Sequence, residues 1–384
     1  MKLTKLSLVT TLAISAAFGG GDIVAPVEAV IVAPVIEAKS ATTIAGKASL
    51  IYITNDGQSN GDMFSKEASE SAAAITLDVT HNILDNVSAN FTAIGFTSLG
   101  DTFGNGTDTW TGGFLDGIET DAYFNVANLT ATYADTTLIA GRQLLGTPMI
   151  QGYDWLIAPG SFEAYTLANN SIENLTLVAS YVAKHRANNS GSTFTDLMGD
   201  NWTVGATYDN SITANIWYYN IEHGNYTQVY ADAGYTFGGF KIEGQYVTTM
   251  FDTGFGTDSS VFGAKVSTSV IGVDLSAAYN KFIDGNTAYL GWNGLYTNSW
   301  NTTVANQYNS ADLDAFKVEA STTIAGINAL VSYADFDNGH ELNVIAGYDI
   351  TNAVDVSLIY SDTQYNAVNA TSTGVLEFYA NYKF

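Results

Sequence analysis

The chemistry this 384-residue chain offers is electrostatic, and it sits in short segments where apolar and polar residues alternate. Lys47, Arg142, Lys184, Lys241, Lys265, Lys317 and Lys383 read as the polar parity of their segments. Asp78, Asp232, Glu243, Asp274, Glu319, Asp349, Asp355 and Glu377 read the same way. In a strand with lipid on one side and water on the other, charge belongs on the wet side, because the lipid side penalises it. A wet interior carrying both signs would orient polar solutes and order water. Eight positions are the candidate lining or constriction residues: Arg142, Asp154, Glu163, Lys184, Lys241, Glu243, Lys317 and Glu319. The plainer reading of any one of them is a charge merely tolerated in a wet interior.

Catalytic signatures are missing. His81, His185, His223 and His340 are scattered, with no nucleophile at a telling spacing. The chain has no cysteine, which removes disulfides and thiolate metal sites. Phe103-Gly104-Asn105-Gly106 reads as loop glycine, not as a phosphate cradle. Asp101, Asp108, Asp116 and Asp121 offer oxygen ligands that suit Ca²⁺, but without the fixed spacing of a calcium loop. Solvated acidity is the simpler account, so no cofactor is expected. Asn-X-Ser/Thr triplets such as Asn128-Leu129-Thr130 follow from the abundance of Asn and Thr. A formal charge of −25 argues against nucleic acid as a partner.

The elements that would position these charges are strands. Hydrophobic residues make up 46% and aromatics 12% of the chain, while charged residues are only 13%, about half the usual share for soluble proteins. Beyond the N-terminus no apolar run is long enough to be a membrane helix. Instead apolar residues alternate, as in Ile75-Leu77-Val79, Val87-Ala89-Phe91-Ala93, Leu175-Leu177-Ala179-Tyr181, Val229-Ala231-Ala233-Tyr235 and Val354-Val356-Leu358-Tyr360. Asp85-Asn86, Asp209-Asn210, Gly238-Gly239, Ala325-Gly326 and Thr351-Asn352 fall between such runs, as hairpin turns do. Longer Gly/Asn/Asp/Thr-rich stretches occupy the other junctions, around residues 55–70, 99–120, 187–200, 251–259 and 283–311. Short turns at one end and long loops at the other are the pattern of a transmembrane β-barrel of about eighteen strands. The four prolines avoid every proposed strand: Pro26 and Pro34 precede them, and Pro148 and Pro159 share one loop.

The two ends agree. Lys2 and Lys5 precede an apolar stretch from Leu6 to Phe18, too short to span a bilayer but suited to a secretory signal. Ala17-Phe18-Gly19 offers small residues for cleavage, with Val27-Glu28-Ala29 as a second option. We therefore expect a signal over residues 1–19, a low-complexity linker over 20–42, and the barrel over 43–384. At the C-terminus Leu376, Phe378, Ala380, Tyr382 and Phe384 share one parity. Phe378, Tyr382 and Phe384 resemble the aromatic signal read by the outer-membrane barrel-assembly machinery.

From Leu138 the chain reads LIAGRQLLGTPMIQGYDWLIAPGSFEAYTL, then ENLTLVASYVAKHR. This resembles OprD-type porins, among them the major outer-membrane porins of the Campylobacter group. The matching positions are Gly141-Arg142-Gln143, Thr147-Pro148, Asp154, Pro159, Phe162-Glu163 and Leu175-Thr176-Leu177. The resemblance implies an eighteen-stranded barrel, often a homotrimer, whose loop between Pro148 and Pro159 folds inward to narrow the pore. It also makes Arg142, at the start of that loop, resemble the family's basic lining. Many relatives carry Arg just after the loop Asp, where this chain has Trp155 and Leu156.

The function expected from all this is passive diffusion of ions and small hydrophilic solutes through a water-filled channel, with a preference for cations. The alternatives are a substrate-selective channel for amino acids, peptides or small organic acids, and a structural or adhesive surface barrel. Outer-membrane lipid and lipopolysaccharide, the assembly machinery and further copies of the chain are the expected partners.

Overall fold

The computed structural model describes residues 41–56, 62–99, 120–152, 156–188, 190–285, 287–302, 304, 312–366 and 372–384. The expected signal and the expected linker up to residue 40 lie outside these residues, and β1 begins at Thr42, one residue before the expected start of the barrel. Eighteen strands run in chain order. The first nine are β1 (Thr42–Asn55), β2 (Ser69–Leu84), β3 (Val87–Ser98), β4 (Thr120–Tyr133), β5 (Thr136–Gln143), β6 (Ser161–Ile172), β7 (Leu175–Arg186), β8 (Asn201–Asp209) and β9 (Ile212–Ile221). The others are β10 (Tyr226–Phe237), β11 (Phe240–Phe251), β12 (Ser259–Val270), β13 (Val273–Ile283), β14 (Leu313–Ile324), β15 (Ile327–Phe336), β16 (Gly339–Thr351), β17 (Val354–Tyr365) and β18 (Thr373–Lys383). Each pairs antiparallel with the next, and β18 returns to β1 from Lys47↔Lys383 to Asn55↔Val375. The sheet therefore closes on itself as a barrel, the strand architecture that satisfies backbone groups within a membrane.

No helix among the described residues is long and apolar enough to cross a membrane, and the strands do the crossing. Their alternation is visible in exposure. Leu50, Ile75, Leu77, Leu129, Leu138, Leu167, Ile216, Val266, Leu275 and Val344 all stand exposed on the outer face, where lipid covers them. One end of the barrel carries two-residue turns. Gly238-Gly239, Ile271-Gly272 and Ala325-Gly326 all hold positive φ at both positions, the geometry whose twist matches the flanking strands. Asn210-Ser211 and Asn352-Ala353 form two more, each one residue beyond the sequence expectation.

The inner face departs from the simple alternating rule. Toward the long-loop end it is apolar: Ile51, Ile53, Ala72, Ala74, Ile94, Phe96, Ile359 and Val375 point inward and are buried. A second inner cluster gathers Phe162, Val182, Trp217, Tyr219, Val247, Val261 and Phe282. Apolar residues on both faces of a strand blur the two-residue period. They are buried here because something inside the barrel covers them.

Candidate pore constriction

What covers them is two loops. The first, residues 144–160, joins β5 to β6. Its Leu145, Met149 and Ile150 pack into the cluster around Phe162, while Ile157 and Ala158 pack against Ile51 and Phe96's cluster on the other side. Each fully buried side chain of this size contributes about 1.5–3 kcal/mol, so the first loop is held largely by apolar burial. Tyr219 fixes its turn by accepting the Met149 backbone N–H at 3.2 Å.

The second lies between β13 and β14, one of the long polar junctions of the sequence, and its described residues 287–302 also enter the barrel. Gln228 on β10 donates to the Ala288 carbonyl at 2.8 Å, and Gln245 on β11 donates to the Gly294 carbonyl at 2.8 Å. Asn280 Oδ1 accepts the backbone N–H of Thr297 at 3.1 Å. The Tyr296 hydroxyl donates to the Gly244 carbonyl, and burial beside Asp232 and Glu243 pushes that hydroxyl far above its usual range, so it stays a neutral donor. Farther on, Lys317 donates to the Asn298 carbonyl at 3.1 Å. Glu341 accepts the Asn301 N–H at 2.9 Å, and Glu377 accepts the Trp300 indole N–H at 2.9 Å.

The two loops join each other. Gly146–Thr147, Ile150–Gln151 and Leu290–Gly291 make a three-stranded sheet, antiparallel on one side and parallel on the other. Trp292 N–H and Gly294 N–H donate to the carbonyls of Gln151 and Pro148 at 2.9 and 2.8 Å. Gly291, at φ +79°, lies so close to the Gln151 carbonyl that no Cβ would fit.

Where the first loop leaves, the wall has a gap, because β5 ends at Gln143 while β4 continues to Thr120. Arg186 fills it. Its fully buried guanidinium stacks on Tyr123 at 3.8 Å and donates to the carbonyls of Ala158 (3.1 Å), Pro159 (2.8 Å), Ala187 (2.8 Å), Gly191 (2.9 Å) and Ser190. Tyr123 adds a hydroxyl to the Pro159 carbonyl at 3.0 Å.

Of the eight candidate residues, four lie on the inner face. Lys241 and Glu243 form an ion pair at 2.6 Å, near Asp232, whose two oxygens accept from the Asn215 amide nitrogen at 3.0 and 3.2 Å. Lys317 and Glu319 pair at 3.5 Å. Asp154 lies outside the described residues. The remaining three are corrected. Glu163 alternates with the fully buried Phe162 and Ala164 and shares its parity with exposed Tyr165, so it is on the outer face. Its register partners Arg142 and Lys184 share that face. An extra residue at Ala183, between Val182↔Ala164 and Lys184↔Glu163, moves Lys184 outward. Arg142 has the parity of Leu138 and Ala140, both outward, so strict alternation already excludes it from the lumen. There Arg142 lies 3.8 Å from Glu163 and over the Phe194 ring, while Lys184 pairs with Asp196 at 3.2 Å.

The three C-terminal aromatics complete the seam. Phe378 and Tyr382 face outward, and Phe384 exchanges two backbone hydrogen bonds with Gly46 at 2.8 and 3.0 Å. Its ring occupies the space a Cβ on Gly46 would need. Residues that sequence reasoning did not single out for this site are Arg186, Tyr296, Trp300 and Glu341. Only Glu341 had a signal, its alternation with Leu342 and Val344.

The model of the "outer membrane porin, OprD family" matches residues 95–350 of this chain. No curated protein matches it in sequence. Among solved structures, Pseudomonas aeruginosa OccK9 (OpdG) is similar at 16% identity and TM-score 0.74, over 89% of this chain and 98% of that one. Pseudomonas aeruginosa OpdK, solved with vanillate, has 15% identity and TM-score 0.74 over the same shares. OccK3 (OpdO) has 16% identity and TM-score 0.70, over 89% and 95%. These likenesses concern the fold: a closed barrel of eighteen antiparallel strands. With the match spanning most of the barrel, the chain belongs to the OprD family of outer-membrane porins and is an outer-membrane β-barrel channel.

Proposed function

We propose that this channel passes ions and small hydrophilic solutes by passive diffusion and prefers cations. The observation that carries the proposal is the charge of the inner face. With Arg142 and Lys184 outside, the inward bases are Lys47, Lys241, Lys265, Lys317 and Lys383, and three of them have a carboxylate within 4 Å. Asp78, Asp232, Glu243, Asp274, Glu319, Asp349 and Asp355, all at inward positions of their strands, outnumber them. A lumen walled by low-dielectric protein focuses that field on passing ions. The test is the reversal potential of purified protein in a planar bilayer across a KCl gradient. A wild type selective for anions would overturn the proposal.

The second reading, a substrate-selective channel for small organic acids, is favoured by the similarity to OpdK, which was solved with vanillate. Here the pairing of inward lysines with carboxylates leaves less free positive charge for such a solute. A homotrimer in contact with lipopolysaccharide belongs to the same proposal. The ion pairs of Arg142 and Lys184, on the outer face just beyond Tyr165 and Tyr181, suit headgroups or a subunit contact better than acyl chains. Closer kinship with the Campylobacter porins is likewise proposed, on the loop motif from Gly141 to Glu163.

A further inference from the structure

The second inward loop leaves β13 and re-enters the wall at β14, its immediate neighbour. A connection between neighbours needs no detour, yet this one touches β10 and β11 on one side and reaches β16 and β18 on the other. Its far segment, Asn298 to Asn301, lies inside the barrel along the wall from β14 to β18, where its polar groups need partners. Three buried charged side chains supply them: Lys317 on β14, Glu341 on β16 and Glu377 on β18, at 8%, 0% and 4% exposure. Lys317 takes the Asn298 carbonyl, Glu341 the Asn301 N–H and Glu377 the Trp300 indole N–H.

The two carboxylates are otherwise hard to account for. Among the described residues neither forms an ion pair with a basic side chain, and burying a carboxylate is costly unless its oxygens are hydrogen-bonded. The wall contributes a hydroxyl to each: Thr363 donates to Glu341 at 3.2 Å and Tyr379 to Glu377 at 2.5 Å. The wall and the loop therefore share the partners of each carboxylate.

We infer that Lys317, Glu341 and Glu377 are positioning residues that hold the 298–301 segment inside the lumen and so set the size limit of the channel. The inference rests on the channel reading proposed above. The barrel's own ladder does not pass through these bonds, so breaking them frees the loop and leaves the wall intact. Losing one hydrogen bond to a charged partner shifts the loop's in–out equilibrium by about tenfold to a hundredfold.

The experiment compares wild type with Trp300→Phe, Glu377→Gln, Glu341→Gln and the double variant Glu341→Ala/Glu377→Ala. Heat-modifiable mobility first establishes that each barrel is folded. Single-channel conductance, and liposome swelling with uncharged sugars of rising size, then read the aperture. We expect the double alanine variant to conduct more and admit larger sugars, with Trp300→Phe shifted in the same direction. The two single glutamine variants, which keep an acceptor oxygen, should stay close to wild type. Ser299→Cys, 3% exposed at the wild-type position and the only thiol in the chain, gives a second readout should the double variant not fold. It should react with a hydrophilic thiol reagent faster when combined with Trp300→Phe than alone. A conducting wild type whose folded variants keep its conductance, size limit and Ser299→Cys reactivity overturns the inference. A wild type that does not conduct overturns the channel reading instead.

Discussion

Arg186 is the clearest case of a single residue holding the site in place. Five carbonyls from two stretches of chain converge on its planar donors, and no other side chain can serve that fan. Arg186→Lys replaces a planar fork by a point charge and should leave several of these carbonyls without a partner. We expect the folded barrel to lose about 3–5 kcal/mol or less of stability, in the range for breaking a buried charge's contacts. The loop exit at Pro159 should loosen, seen as noisier single-channel current and a lower temperature for the heat-modifiable transition. An unchanged transition with quiet current would mean the first loop needs no clamp beyond its apolar packing. Nothing at the sequence level marks Arg186, because it ends a strand like any rim residue and its acceptors are backbone atoms. Arg142 teaches the opposite lesson. Its parity with Leu138 and Ala140 was readable, and the family-like loop beside it pointed the other way.

At the scale of elements, the strands and hairpin turns were legible because a two-residue period repeats in nearly every segment. The path of the second inward loop was not. Asn, Thr and Gly in residues 284–302 look like an exposed connection, and the partners that draw them inside, from Gln228 to Glu377, are far away in sequence. The loop's position sets a labelling pattern. Cysteines replacing Leu358 or Val344 should be shielded by lipid, and one replacing Ser357 should react with a small hydrophilic thiol reagent. A cysteine at Asn343, on the inner parity but only 1% exposed beneath the loop, should react slowly. Equal labelling at Ser357 and Leu358 would refute the facing of β17. The closing strand gives a second prediction. Deleting Phe384 removes two backbone hydrogen bonds to Gly46 and the ring beside it, so insertion should slow and heat-modifiable barrel should fall in amount. Wild-type amounts in the outer membrane would show that the terminal aromatic does not matter.

For the whole molecule, the electrostatic consequence follows from which charges face inward. Lys241→Gln should raise the preference for cations and Glu243→Gln should lower it, both read as shifts of the reversal potential. Arg142→Gln should be silent, since that guanidinium faces outward beside Glu163. The effect should weaken as salt rises, because screening shortens to about 3 Å at 1 M. Equal shifts from Arg142→Gln and Lys241→Gln would mean that the field is set by the whole surface and not by the inner wall.

The small sheet that ties the two inward loops also fixes an order of events. Ile150 and Leu290 belong to connections after the fifth and the thirteenth strands, so they can meet only when both stretches of wall are in place. Apolar surface inside the tube, from Ile51 to Phe282, waits uncovered until then. On that order the barrel would close wide and apolar inside and narrow only when the two loops dock. An assembly intermediate should accordingly be both leakier and more prone to bind hydrophobic dye than the finished protein.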